Sequence, residues 1–130
     1  MTNSGIQFVT AVTPSSSLEW AVATLLGGVS VDYATAVAAC EALGPGWRVP
    51  TLPEFLTQVQ YDRVGPAIDT ALFPDTQGGA YWTSTPLAMG DRDVWIVDCY
   101  SGATGNYRKE GNAAFVRAVR TVEPAEGESQ

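Results

Sequence analysis

The sequence predicts a small α+β domain: two short helices and a series of short strands around one tryptophan-rich core. Three observations carry this. The 130 residues suffice for one hydrophobic core and so for one domain. A hydrophobic content of 45% with four Trp marks a folded globule rather than a disordered chain. Third, short aromatic blocks recur in order: Trp47-Arg48-Val49-Pro50-Thr51, Tyr81-Trp82-Thr83-Ser84-Thr85-Pro86, Val94-Trp95-Ile96-Val97-Asp98, and Phe115-Val116-Arg117-Ala118-Val119-Arg120.

Along the chain, the apolar patch 6–12 reads as a strand, ended by the turn residues 13–17. Residues 18–22 alternate as a second strand, and Gly27-Gly28 breaks it. Ser30 reads as the N-cap of a first helix, with Asp32 placed to suit its dipole. Tyr33, Val37, Cys40 and Leu43 share one face of it. Ala34, Ala38, Ala39 and Ala42 fill most of the rest, which predicts close burial on more than one side. Gly44 and Pro45 stop it.

Thr51-x-x-Glu54 is a capping box, and Pro53 sits in the first turn, where its missing N–H costs little. Leu52, Phe55, Leu56 and Val59 form the apolar stripe of this second helix. Trp47, between the helices, is placed to pack both against the sheet. Residues 64–79 read as a loop plugged down by Ile68 and Phe73. Strands are expected at 81–83, 94–100, 106–109 and 115–120. In the second of these, Trp95, Val97 and Cys99 share one face and Ile96, Asp98 and Tyr100 the other. All four Trp read as core residues. The domain is expected to span 1–120, with 121–130 an acidic flexible tail.

Charge narrows the function. The net charge is -7 and the chain has no His. An acidic surface argues against nucleic acid, which needs clustered Lys and Arg. Lack of His removes the commonest general base and metal ligand. Ser84, in a hydroxyl-rich run, therefore has no evident activating base, and its hydroxyl is expected to bond backbone. No catalytic residue, cofactor or metal site is expected. No signal peptide is read at the start, and the most apolar stretch, 21–31, is too short and Gly-rich to insert in a membrane. The expectation is synthesis in the cytoplasm, with incorporation in virions as one route out. Cys40 and Cys99 read as buried, reduced thiols; a disulfide between them is the disfavoured alternative.

At these same blocks the chain resembles the C-terminal domain family of the Legionella collagen-like protein, found in bacterial surface and phage proteins. The resemblance runs from about Leu18 to Arg120. Trp47-Arg48-Val49-Pro50-Thr51 is similar to the family's Trp-Arg-Leu-Pro-Thr signature. Leu18-Glu19-Trp20-Ala21, the helix through Cys40-Glu41-Ala42-Leu43, Phe73-Pro74-Asp75-Thr76, Tyr81-Trp82-Thr83-Ser84-Thr85 and Val116-Arg117-Ala118-Val119-Arg120 complete the ordered set. It implies a C-type-lectin-like fold, two helices packed on a small, twisted, mostly antiparallel sheet with long loops and termini close together. It also implies a binding module, and the expectation drawn here is a non-enzymatic one. Members often carry Cys where Ala118 stands; here Cys40 lacks that partner. The Glu-Pro-Asn and Trp-Asn-Asp motifs of calcium-dependent lectins are absent. Asp69, Asp75, Asp91, Asp93 and Asp98 match no calcium loop and read as solvated turn formers. The acidic charge makes a sulfated polysaccharide a poor match.

Arg48, Arg117 and Arg120 are expected to pair with carboxylates or carbonyls and pin sheet to loop. Recognition is expected elsewhere. Residues 87–92, with Asp91 and Arg92, resemble the fold's long display loop. Tyr100, Tyr107, Arg108, Lys109 and Asn112 are placed in the following hairpin, where Tyr and Arg are the usual anchors of binding surfaces. The implied partner is a virion protein, or a glycan or protein of a host surface. An intracellular inhibitor of a host protein is the alternative. A formylglycine-generating-type oxidase is a third reading, disfavoured because Cys40 and Cys99 sit on core elements. Oligomeric state is left open; no heptad or Gly-X-Y stalk is present to drive a trimer.

Overall fold

The computed structural model describes residues 8–12 and 17–122. Ile6 and Gln7 of the first apolar patch, turn residues 13–16 and the acidic residues 123–130 lie outside the described residues. The architecture is α+β, with six strands among the described residues, in two antiparallel three-stranded sheets. In the first, β1 (Phe8–Val12) pairs with β2 (Ser17–Ala21), and β2 pairs with β6 (Val119–Val122). The first and last strands thus flank the same neighbour. The last runs through Val122, two residues past the expected boundary.

The second sheet has the order β3 (Ala80–Leu87), β4 (Gly90–Asp98), β5 (Thr104–Arg108). Residues 87–92 are not a long display loop. Leu87 pairs with Gly90, so both strands extend through the segment and only Ala88 and Met89 turn the chain. The expected strand 115–120 is also shorter. Its first part passes between the sheets and bonds a different partner at each step. Ala114 bridges Val31, Phe115 bridges Tyr81, and Val116 O accepts from Leu25 N at 2.8 Å. A ladder needs one continuous partner, and only from Val119 does β2 supply it.

The first helix, α1 (Tyr33–Glu41), is capped by Asp32, whose carboxylate accepts from Thr35 N at 2.9 Å. Ser30 is not the cap, because Val31 is still held extended by its bridge to Ala114. Only Ala36 and Cys40 of α1 are buried, while Ala34, Ala38 and Ala42 are exposed. The helix therefore packs on one side only, not on several. The capping box at α2 (Leu52–Leu56) forms as expected, with Thr51 as N-cap and Glu54 closing the return bond.

Two clusters make up the core. Leu18, Trp20, Phe55, Ile68, Phe73, Tyr81 and Val97 belong to one, with Cys99. Ala36, Cys40, Trp47, Trp82, Val94 and Ile96 belong to the other. The central strand β4 is thus covered on both faces: Val97 serves the first cluster, Val94 and Ile96 the second. The two thiols are free, in different clusters, and burial pushes each up to about 12. Ala118 is fully buried in the cluster of Cys40. Trp95 departs from expectation. It is half-buried and belongs to neither cluster. The five-residue α2 brings Phe55 against the Tyr81 and Val97 cluster instead.

Candidate binding site

Where the seven basic side chains go decides where a charged partner can be met. Four of them hold the fold. Arg48 makes a forked pair with Glu54, at 2.7 and 2.9 Å, and donates to Thr121 Oγ1 at 2.8 Å. Arg63 donates to the Pro66 carbonyl and to Thr70. Arg120 pairs with Glu19 and lies 5.0 Å over the Trp47 ring. Arg117 is buried and donates to the carbonyls of Ala21 and Val22. The reading of Arg48, Arg117 and Arg120 as pins between sheet and loop matches these contacts.

The remaining three, Arg92, Arg108 and Lys109, converge at one end of the second sheet. Antiparallel register sets Asp93 opposite Arg108 and Val94 opposite Tyr107. Lys109 N donates to Arg92 O at 2.9 Å, which continues the ladder one step further. Strand alternation then places Arg92 and Lys109 on one face and Asp93 and Arg108 on the other. Arg108 lies 4.0 Å from Asp93, a loose and half-exposed pair. The Arg92 side chain has no hydrogen-bond or ion-pair partner among the described residues.

Beneath this end lies a row of rings. Lys109 Nζ sits 5.1 Å over Tyr33. Tyr33 meets Trp82 edge-on at 5.4 Å, and Trp82 meets Tyr107 edge-on at 5.9 Å. The Trp82 indole donates to the Val31 carbonyl at 2.7 Å, which fixes the middle ring. Burial pushes the Tyr33 phenol up, so it stays neutral beneath the ammonium. The row gives Lys109 a defined seat instead of a freely moving one.

Two shallow depressions flank Arg92 and Arg108. One, of about 180 Å³, is lined by Leu87, Met89, Gly90 and Asp93 along with the two arginines. The other, of about 230 Å³, adds Asp91, Lys109 and Glu110 to the same pair. Met89, at the hairpin tip, is 92% exposed. Three cations therefore sit with three carboxylates, Asp91, Asp93 and Glu110. The cluster is locally balanced, although the chain as a whole carries -7.

The structure brings together Asp91, Arg92, Arg108 and Lys109 of the residues singled out in the sequence. Tyr107 lies under them as packing and is half-buried. Asn112 donates to the Arg108 carbonyl at 3.2 Å and shapes the loop. Tyr100 lies beyond the far end of β4, where Asp98 is already about 20 Å from Arg92 at strand rise. Sequence reasoning misses Asp93 and Glu110 as site residues and reads Met89 only as a member of the 87–92 segment. Placing Asp93 beside Arg108 needs the strand register, which no local pattern supplies.

The other loop acids take structural bonds. Asp69 accepts from Ala71 N and Asp98 from Tyr100 N, each at 2.9 Å. Asp75 accepts from Thr24 N with both oxygens. The hydroxyls of the 82–85 run bond as expected: Thr83 donates to the Trp95 carbonyl at 2.6 Å, and Thr85 accepts from Leu52 N at 2.9 Å. Ser84 Oγ reaches the Pro50 carbonyl at 3.4 Å. No helix among the described residues is long and apolar enough to cross a membrane. Comparison with known families matches residues 10–120 to the Lcl C-terminal domain. No curated protein matches the chain.

Proposed function

From the premise that this chain belongs to the Lcl C-terminal domain family, we propose that it is a non-enzymatic binding module that meets a protein partner through the Arg92–Arg108 end of its second sheet. The observation that carries this reading is the division of the cations. Four are committed to internal contacts, and three are gathered on one rigid sheet end beside an exposed methionine. Rim charges of both signs around an apolar tip give specificity and orientation to a protein contact. The balanced charge suits a mixed-charge surface better than a polyanion.

The thiols support the non-enzymatic part. Both are buried in separate clusters with their protons held to about 12. That suits neither a nucleophile nor a paired copper ligand. The proposed setting is a phage or prophage virion, in which the module decorates the particle or contacts a host surface. Density-gradient fractionation of lysate with mass spectrometry tests this. Co-sedimentation of the native protein with particles is the expected result. Recovery with a soluble host protein alone would replace the virion setting with the intracellular inhibitor.

A further inference from the structure

Two exposed tyrosine rings lie at the other end of the second sheet, where β4 gives way to the turn at 99–103. Tyr100 is 54% exposed and Tyr61 69%. Each ring rests on glycine. A Cβ added at Gly65 would lie 3.3 Å from Tyr100 Cε1, and one at Gly78 would lie 3.4 Å from Tyr100 Cδ1. A Cβ at Gly102 would lie 3.3 Å from Tyr61 Cε1 and 2.7 Å from Val59. Gly65 and Gly102 have φ of +65° and +87°, a backbone that already favours glycine. Gly78 has no such φ. A Cβ there would make ordinary van der Waals contact with Tyr100 and with no other residue, so the ring packs along this backbone.

The Tyr100 backbone is held as well. Its carbonyl accepts from Gly65 N at 2.8 Å, and its N–H donates to Asp98 at 2.9 Å. One side of the ring is therefore set on the chain, and the remainder is open to solvent. No ring contact joins Tyr61 to Tyr100. They do not form the cage that closes round a cation. They are two separate platforms flanking Ser101 and Gly102.

A flat, fixed aromatic surface with one open face suits the C–H side of a sugar ring. The negative face of the π-system attracts C–H groups that carry partial positive charge. A ring already immobilised loses little freedom on binding. The adjoining turn supplies hydroxyl partners in the Ser101 Oγ and the second carboxylate oxygen of Asp98. The net charge of -7 disfavours a polyanionic chain.

We propose that Tyr100 and Tyr61 form a two-platform site for a neutral oligosaccharide, with one sugar unit stacked on each ring. This rests on the reading of the chain as a binding module and gives it a second ligand class at a separate end. The test is titration of the full chain with cellohexaose, chitohexaose and mannohexaose, followed by calorimetry and by NMR shifts. At least one is expected to bind at millimolar concentration or below. Tyr100→Ala and Tyr61→Ala are each expected to weaken it by roughly tenfold, and Tyr100→Phe to retain it. No binding by any of the three sugars, or binding that survives both alanine variants, overturns the proposal. Should the sugars fail to bind, co-sedimentation of the native protein with particles would still leave the module reading standing, so the two failures are distinguishable.

Discussion

Arg117 is the residue on which most of the interior depends. Its guanidinium is 3% exposed. It donates to the carbonyls of Ala21 and Val22 and to the hydroxyls of Thr24 and Thr76. Its plane lies 4.5 Å from the Phe73 ring centroid, and Asp75 is 3.8 Å away. One side chain thus ties the end of β2 to the 73–76 loop, with Tyr81 bonded to Thr24 at 2.7 Å alongside. Burial lowers its pKa, but a guanidinium starts so high that it stays charged. Removing it takes this donor from the carbonyls of Ala21 and Val22, while the Thr24 and Thr76 hydroxyls keep their bonds to Tyr81 and Phe73. Arg117→Met is expected to cost about 3 kcal/mol and to lower Tm by roughly 10 °C, read by thermal unfolding. Arg117→Lys should recover little of this, since an ammonium cannot present the planar fork. The sequence marks Arg117 only as one of three signature arginines. Its four acceptors come from segments up to 96 residues away, a convergence that no local pattern encodes.

At the scale of the element, α2 shows what local sequence does encode. Thr51, Pro53 and Glu54 specify a start that needs no distant partner, and the capping box forms as expected. Ser30 shows the converse, since a bridge to Ala114, 83 positions away from Val31, delays α1 to Asp32. Trp95 shows it again: alternation assigns its face but not whether anything covers that face. The cap also has a pH signature. Burial raises the Glu54 pKa, but bonds from Arg48 and from the Thr51 backbone and side chain outweigh it, so the carboxyl is held below its usual value. A lowered folded pKa means that this stabilisation is present above the unfolded value, about 4.3, and is lost as pH falls through the folded one. Glu54→Gln is therefore expected to flatten the stability profile between about pH 5 and 3 while costing about 1 kcal/mol at neutral pH. Urea midpoints collected across that range decide it. A Gln variant whose midpoint still falls in parallel with the parent would place the acid sensitivity elsewhere.

For the whole molecule, the same β4 strand carries both candidate surfaces, the balanced cluster at its start and the tyrosines beyond its end. In the sequence, Arg92 reads as part of a display loop, and Tyr100, Arg108 and Lys109 read together as the following hairpin. Antiparallel pairing folds Arg108 back beside Asp93 and leaves Tyr100 at the turn between the strands. The two ends can therefore be perturbed independently. Arg92, Arg108 and Lys109 lie beside Asp91, Asp93 and Glu110 at an exposed rim, where screening by salt is strong and charge acts chiefly on the encounter rate. An Arg92→Glu, Arg108→Glu double variant changes the rim by four charge units without touching a buried side chain. Its Tm is expected to stay within about 2 °C of the parent. Its association rate with the partner recovered by co-sedimentation is expected to fall by roughly tenfold at low ionic strength. Raising salt should shrink that gap, because screening weakens the parent's attraction and the variant's repulsion together. Surface plasmon resonance at two ionic strengths measures this. An unchanged association rate would remove the cationic end from the contact and leave the tyrosine end as the surface through which this domain is recognised.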